Sequence, residues 1–383
     1  MNKITPKKVC LPPYNPNSRK YEIYTTMGII TEIYLCIPLC LLGIVGNVLS
    51  FITLSREKQN TSILILKSLA IIDSLYLLLV VVFEPYYTAY HDTDWLDKSS
   101  LDKVSHSFTK AATYAVPVIN MAQMCSAWLM VLLTIDRYVA ICHPFKAIIY
   151  CTLRRVRVGI CIIIFTSIVY NIPMFWEVSF TQVYHECLKL HMFTKGVVRG
   201  SVGQHILFRI IYGLAGNLIF RNLLPVLLVI SFNCRLIHSL RIARRNHDKM
   251  TAKQDNDLDN RDKNITVTLV SISFVYLICI LPMLVLSMLD IHYKSVLTHK
   301  NDYIIDYYYK DEGEIASWKV YLKFELVVRL LVRVNSAVNF LVYCTVRKGF
   351  RGKLKSLFKK SIKRESSVQT FTSNVLEKSN QRI

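Results

Sequence analysis

"TIDRYVAICHPF", residues 134–145, closes a stretch in which Ala111 to Ile135 contains no Asp, Glu, Lys or Arg. About 20 mainly apolar residues cross the hydrocarbon core of a bilayer as a helix, so Asp136 and Arg137 fall where such a helix meets the cytoplasm or the outside. An arginine locked to an adjacent acid at that depth is a charge that can be released. The plainer alternative is two residues snorkelling at a membrane interface. The rest of the chain decides between them.

Six further segments have the same character. Ile33 to Leu54, Val158 to Trp176 and Ile265 to Leu289 carry no charge, Ile63 to Phe83 carries Lys67 and Asp73, and Ile210 to Cys234 carries Arg221 alone. Ala316 to Cys344 is the most polar, with Lys319, Lys323, Glu325, Arg329 and Arg333. With 52% hydrophobic and only 19% charged residues, the 383-residue chain does not read as one soluble domain. The predicted fold is an all-α membrane protein, a seven-transmembrane helix bundle.

Orientation follows from Lys and Arg, which stay cytoplasmic in short loops. They gather as Arg56 and Lys58, as Lys146, Arg154, Arg155 and Arg157, as Arg235, Arg241, Arg244 and Arg245, and again after the last segment. The amino terminus is therefore expected outside, although it carries Lys3, Lys7, Lys8, Arg19 and Lys20. No signal-peptide core precedes Ile33, so the first helix is expected to act as its own insertion signal. The net charge of +21 is explained by attraction to anionic lipid headgroups and does not call for nucleic acid.

"RKGFRGKLKSLFKKSIKR", residues 347–364, sets Phe350, Leu354, Leu357 and Phe358 on one helical face and lysines on the other, the pattern of an amphipathic cytoplasmic helix lying on the inner leaflet. The expected organisation is an extracellular segment 1–27, a receptor bundle 28–346, the amphipathic helix 347–364 and a disordered cytoplasmic tail 365–383. Ser366, Ser367, Thr370, Thr372 and Ser373 in that tail are either phosphorylation sites for arrestin or ordinary solvated residues.

Polar residues stand singly inside the apolar segments, where each is costly. They are Asn47 in "GIVGNVLS", Asp73 in "SLAIIDSLY", and Asn335 and Asn339 in "NSAVNFLVY", with Tyr343 a turn further on. With Asp136-Arg137-Tyr138 this set resembles the rhodopsin-like (class A) family of G-protein-coupled receptors, from Ile33 to Phe358. "SIVYNIPMFWE", "FVYLICILPMLV" and "NSAVNFLVYC" resemble the invertebrate FMRFamide-type neuropeptide receptors.

The resemblance implies a plasma-membrane receptor, not an enzyme, that takes an extracellular amidated peptide and activates a heterotrimeric G protein. Pro225 and Pro282 match that family's kinks in the fifth and sixth helices, and Pro144 with Phe145 its G-protein contact in the second cytoplasmic loop. Asp136, Arg137, Tyr138 and Tyr343 would form the coupling switch. No cofactor is implied beyond an allosteric sodium ion among Asp73, Ser126, Asn335 and Asn339, oxygen ligands that suit a hard cation. A ligand ending in Arg-Phe-amide needs a carboxylate for its guanidinium and an aromatic pocket for its ring. Asp290 is the first choice for that carboxylate and Glu84 the second, with Gln123, Tyr114 and Glu325 completing the expected ligand set. Glu325, Arg329 and Arg333 are spaced four apart on one face, so Glu84 and Glu325 are equally candidates for internal pairs.

Departures from the family pattern are specific. Ile280 and Phe340 replace its sixth-helix aromatic and seventh-helix proline, and Asn233 its fifth-helix tyrosine. Ala112 stands where the family has a disulfide cysteine, leaving Cys187 without its usual partner. Cys10 and Cys187 are the two cysteines expected in outer segments, so they bridge each other, remain thiols or pair between molecules. Arg333 replaces the lysine that opsins use for retinal, and a guanidinium forms no Schiff base. Ile119 replaces the aspartate of amine receptors. The alternatives are a class A receptor for a non-peptide ligand and a secondary transporter, though no inverted repeat of the transporter kind is visible.

Overall fold

Backbone groups inside lipid must be paired within the segment itself, and each long apolar stretch does this as a helix. The computed structural model describes residues 27–92, 98–185, 190–197, 209–250, 257–298, 312–347, 349–357 and 359. The first membrane helix starts with the π-helical turn Ile30–Leu35 and continues as Cys36–Ser55. The second is Thr61–Asp92, the third Lys98–Cys142 and the fourth Leu153–Asn171. The fifth is π-helical over Arg209–Leu223 and α-helical over Leu224–Met250, the sixth is Asp257–Thr298, and the seventh Glu312–Val346.

Among the described residues, six helices are long and apolar enough to cross a membrane; the fourth is the exception. Arg154, Arg155 and Arg157 occupy its first turns, and Pro173, which has no N–H to give, stops it before the expected end at Trp176. The helix is held at its start by Thr152, whose side chain accepts a 3.4 Å hydrogen bond from the Arg155 backbone N–H.

The seven-helix expectation holds, with one addition. The chain beyond the fourth helix forms an antiparallel hairpin, β1 Val178–His185 against β2 Leu190–Val197, with Val178 opposite Val197. These segments are half polar, so a search for apolar spans passes over them, but alternating β-branched and aromatic residues suit a strand.

Outward residues such as Leu42, Phe165, Phe274 and Leu341 are exposed, as lipid-facing side chains must be, while Leu69, Leu77, Leu129, Leu133, Tyr276 and Tyr343 form the buried seam. The first and seventh helices approach closely because of two glycines. A Cβ at Gly43 would lie 2.6 Å from the Ala337 Cβ, and one at Gly46 2.9 Å from the Phe340 Cβ. Asn47 donates a 2.9 Å hydrogen bond to the Ser336 carbonyl at the same seam.

Residues 349–357 are helical, but their apolar face lies against the bundle. Phe350 is fully buried, 6.1 Å from the Phe340 ring and 5.5 Å from Tyr343. Arg347 Nη2 reaches the buried Glu57 at 2.5 Å and clamps the helix to the loop between the first and second helices.

Candidate functional site

At the C-terminal end of the third helix, Arg137 donates through Nη2 (2.9 Å) and Nε (3.2 Å) to Asp136 Oδ2. Ser62, at the start of the second helix, donates to the same oxygen at 2.6 Å. One buried carboxylate oxygen thus holds both the guanidinium and the neighbouring helix. Tyr138 packs 5.2 Å from the Phe232 ring and lines an open cleft with Cys234, Arg235, His238 and Ser239. Beyond it, the short helix Pro144–Tyr150 leaves Phe145, Ile148, Ile149 and Tyr150 exposed.

Fifteen residues after Asp136 the chain returns to it. The Cys151 Sγ lies 3.8 Å from the Asp136 carbonyl. Burial first, and then the Asp136 carboxylate, push that thiol up to about 11.

In mid-bundle Asp73 is fully buried. It accepts 2.8 Å hydrogen bonds from Ser126 Oγ and from Asn339 Nδ2, joining the second, third and seventh helices. Asn335 is buried beside them and lines, with Ser126, Arg221, Tyr276 and Ile280, a central cavity of ≈ 20 Å³. Tyr343 is buried below, on the seventh helix. The set offers oxygen donors around one carboxylate, which fits a hard monovalent cation. The Asn339 amide nitrogen faces Asp73, so its oxygen would reach such a cation only after the amide turns. Asn233 spends its amide on its own helix, donating to the Val229 carbonyl at 2.9 Å.

The half of the bundle away from Arg137 holds a chain of charges. Arg333 lies 2.6 Å from Glu32 on the first helix, both side chains no more than 3% exposed, and 3.7 Å from Glu84. Arg329 joins Glu84 at 3.3 Å and Glu325 at 2.6 Å. Across the bundle, Arg221 donates to Asn120 Oδ1 at 2.5 Å and also to Gln123 Oε1. Tyr114 stacks on Phe175 with centroids 6.5 Å apart.

A model of the seven-transmembrane receptor (rhodopsin family) matches residues 45–343. The chain belongs to that family. Along its length the receptor is 26% identical to an FMRFamide receptor of Drosophila melanogaster over 90% of this chain and 56% of that protein. It is 25% identical to the FMRFamide peptide receptor frpr-18 of Caenorhabditis elegans over 83% of this chain and 67% of that one. Over a shorter stretch, 41% of this chain and 35% of its counterpart, it is 32% identical to the rat neurotensin receptor type 1. The receptor therefore spans little more than half the length of the first of these relatives. It is a multi-pass membrane protein with the family's seven helices.

Against that frame, the expected switch residues Asp136, Arg137 and Tyr138 meet at one helix end, and Asp73, Ser126, Asn335 and Asn339 meet in mid-bundle. The expected ligand residues do not form one cluster. Glu84 and Glu325 are engaged by Arg329, because the four-residue spacing stacks Glu325 on Arg329 and places Arg329 against the second helix. Gln123 is engaged by Arg221. Asp290 lies on the sixth helix, with its side chain outside the described residues, as are Cys10 and Cys187. Glu32 and Ser62 had no signal of their own. Glu32 lies just outside the charge-free run, and the π-helical turn carries it into the bundle. Arg221 was visible as the lone charge of its segment.

Proposed function

We propose that this receptor stands in the plasma membrane with its amino terminus outside, binds an extracellular amidated, FMRFamide-like neuropeptide, and drives nucleotide exchange on a heterotrimeric G protein. The observation that carries the reading is the similarity to two FMRFamide receptors over most of this chain. The local geometry supports it. The Asp136–Arg137 pair is a bistable element that ligand binding would bias: at rest Asp136 holds Arg137 and Ser62, and when the sixth helix moves outward Arg137 swings into the cleft beside Tyr138 to meet the G protein. The exposed Pro144–Tyr150 helix presents Phe145 to the same partner, and the basic helix after Val346 faces anionic lipid, with the tail beyond it available to arrestin.

Asp290 remains the candidate for the ligand arginine, and Tyr114 with Phe175 forms an aromatic wall near the outer face. Glu84 and Glu325, already paired, would shape the pocket. Asp73 and Ser126, with Asn335 and Asn339, would hold a sodium ion that favours the resting state; raising sodium should then weaken agonist binding, and Asp73→Asn should remove that dependence.

The deciding experiment expresses the full chain in cells and measures guanine-nucleotide exchange on added G proteins in response to Phe-Met-Arg-Phe-amide and related amidated peptides. Exchange should follow peptide addition, and Arg137→Ala should abolish it while leaving peptide binding intact. A receptor that answers small amines or lipids and no peptide would replace this reading, and unchanged exchange in Arg137→Ala would remove the proposed switch.

A further inference from the structure

We propose that Arg221 is the recognition site for a carboxylate carried by the ligand. The proposal deepens the peptide-receptor reading and rests on it for the identity of the ligand, but the site itself is argued from charge balance. Arg137, Arg333 and Arg347 each have a carboxylate oxygen within 3 Å, at 2.9, 2.6 and 2.5 Å. Arg221 has none among the described residues. Its Nη2 is shared between the amide oxygens of Asn120 and Gln123, and its Nε is shut off from solvent with no acceptor among the described residues. Among those residues the ionisable groups near enough to act on it are the phenols of Tyr76, Tyr170 and Tyr212, which are neutral at physiological pH.

A cation inside a bundle is costly unless an anion answers it. Two neutral amides supply part of the compensation and, being fixed, aim the guanidinium, but they leave a net positive charge. That charge opens on the central cavity, whose lining joins Gln123, Arg221, Asn222, Tyr276 and Ile280 from the third, fifth and sixth helices. The apolar segment of the fifth helix runs from Ile210, so Arg221 stands eleven residues inside it. The backbone there is π-helical, a geometry that turns a side chain out of the regular α register and recurs at functional sites.

The planar guanidinium fork matches a planar carboxylate through two parallel hydrogen bonds, and seating one of them on Nε requires Arg221 to turn toward the cavity. An amidated peptide has no terminal carboxylate, so in that class the acid comes from an Asp or Glu side chain; in a peptide with a free terminus it is the terminal group itself.

The test uses the full-length receptor and matched probes. Phe-Glu-Arg-Phe-amide is compared with Phe-Gln-Arg-Phe-amide, and Phe-Met-Arg-Phe as the free acid with its amide, for nucleotide exchange on wild type, Arg221→Gln and Arg221→Lys. In parallel, the thermal stability of purified receptor is followed with N-acetylphenylalanine and with its amide. In wild type one acid member should exceed its neutral match by roughly thirty-fold or more in potency, and N-acetylphenylalanine but not its amide should raise the unfolding midpoint. Both preferences should vanish in Arg221→Gln and partly return in Arg221→Lys. An acid preference that survives Arg221→Gln, or no preference for acid in wild type by either readout, overturns the proposal. If N-acetylphenylalanine stabilises through Arg221 while no peptide drives exchange, the neuropeptide reading fails and the site stands. If replacing gluconate by chloride gives the same Arg221-dependent stabilisation and N-acetylphenylalanine adds nothing, the occupant is an inorganic anion and the ligand role is overturned.

Discussion

Arg333 and Arg221 are both guanidiniums inside the helix bundle, yet their surroundings are opposite in kind. Arg333 sits 2.6 Å from Glu32 with Glu84 behind it, three helices joined through one closed set of charges. Among the described residues Arg221 hydrogen-bonds the amides of Asn120 and Gln123 alone, and it looks onto a cavity. The difference separates two uses of a buried charge. A pair closed inside the protein fixes how helices stand against one another, and a cation left with neutral acceptors is held in place for something that arrives. The pair Asp136–Arg137 at the end of the third helix lies between these extremes: its two members meet, but the guanidinium is 13% exposed and its partner acid already serves Ser62 as well.

The largest effect should come from opening the closed set. Glu32→Gln leaves Arg333 buried with its nearest counter-charge gone, which typically costs about 3–5 kcal/mol. Surface expression and resistance to heating in detergent should fall sharply, and adding Arg333→Met to the same chain should restore much of the loss, because the isolated charge is then gone. No recovery in the double variant would mean that Glu32 acts through packing instead of charge.

A smaller effect is expected at the Asp136–Arg137 pair. Asp136→Asn releases Arg137 and Ser62 together, so exchange without ligand should rise several-fold while the fold survives. The same substitution has an independent chemical reporter in Cys151. With its thiol at about 11, roughly one molecule in a thousand is thiolate at pH 8, against about one in four for an ordinary cysteine. Maleimide labelling of Cys151, in a background lacking the exposed Cys161 and Cys234, should therefore be slow at pH 8 and climb steeply with pH. Removing the Asp136 charge lowers the thiol's pKa, so labelling should accelerate in Asp136→Asn. Unchanged labelling would separate the two groups electrostatically and leave burial as the whole cause.

Reading these regions from sequence succeeded where the signal is local. Hydropathy located the seven helices, and the four-residue spacing of Glu325, Arg329 and Arg333 correctly warned that Glu325 is engaged within the bundle. The family resemblance groups Asp73 with Ser126, and a 2.8 Å hydrogen bond joins the two. It failed where a partner lies on another helix: nothing near Glu32 announces Arg333, and nothing near Ser62 announces Asp136. Phe350 was assigned to the lipid face of an amphipathic helix because sequence periodicity shows that a face is apolar without showing what covers it; the seventh helix does. The hairpin beyond Trp176 was missed because strands outside the apolar core carry no hydropathy excess.

The claim that a closed charge supports the fold while an open one serves a ligand is tested most directly by the thermal unfolding midpoint of the purified, ligand-free receptor, with Arg333→Gln and Arg221→Gln compared side by side. Arg333→Gln strands Glu32 in the bundle and should lower the midpoint by at least about 5 °C. Arg221→Gln removes a cation that no carboxylate among the described residues answers and strands no opposite charge, so the midpoint should stay within about 2 °C of wild type or rise. A fall in Arg221→Gln as deep as that in Arg333→Gln would show that both arginines hold the bundle together, and the distinction would be lost.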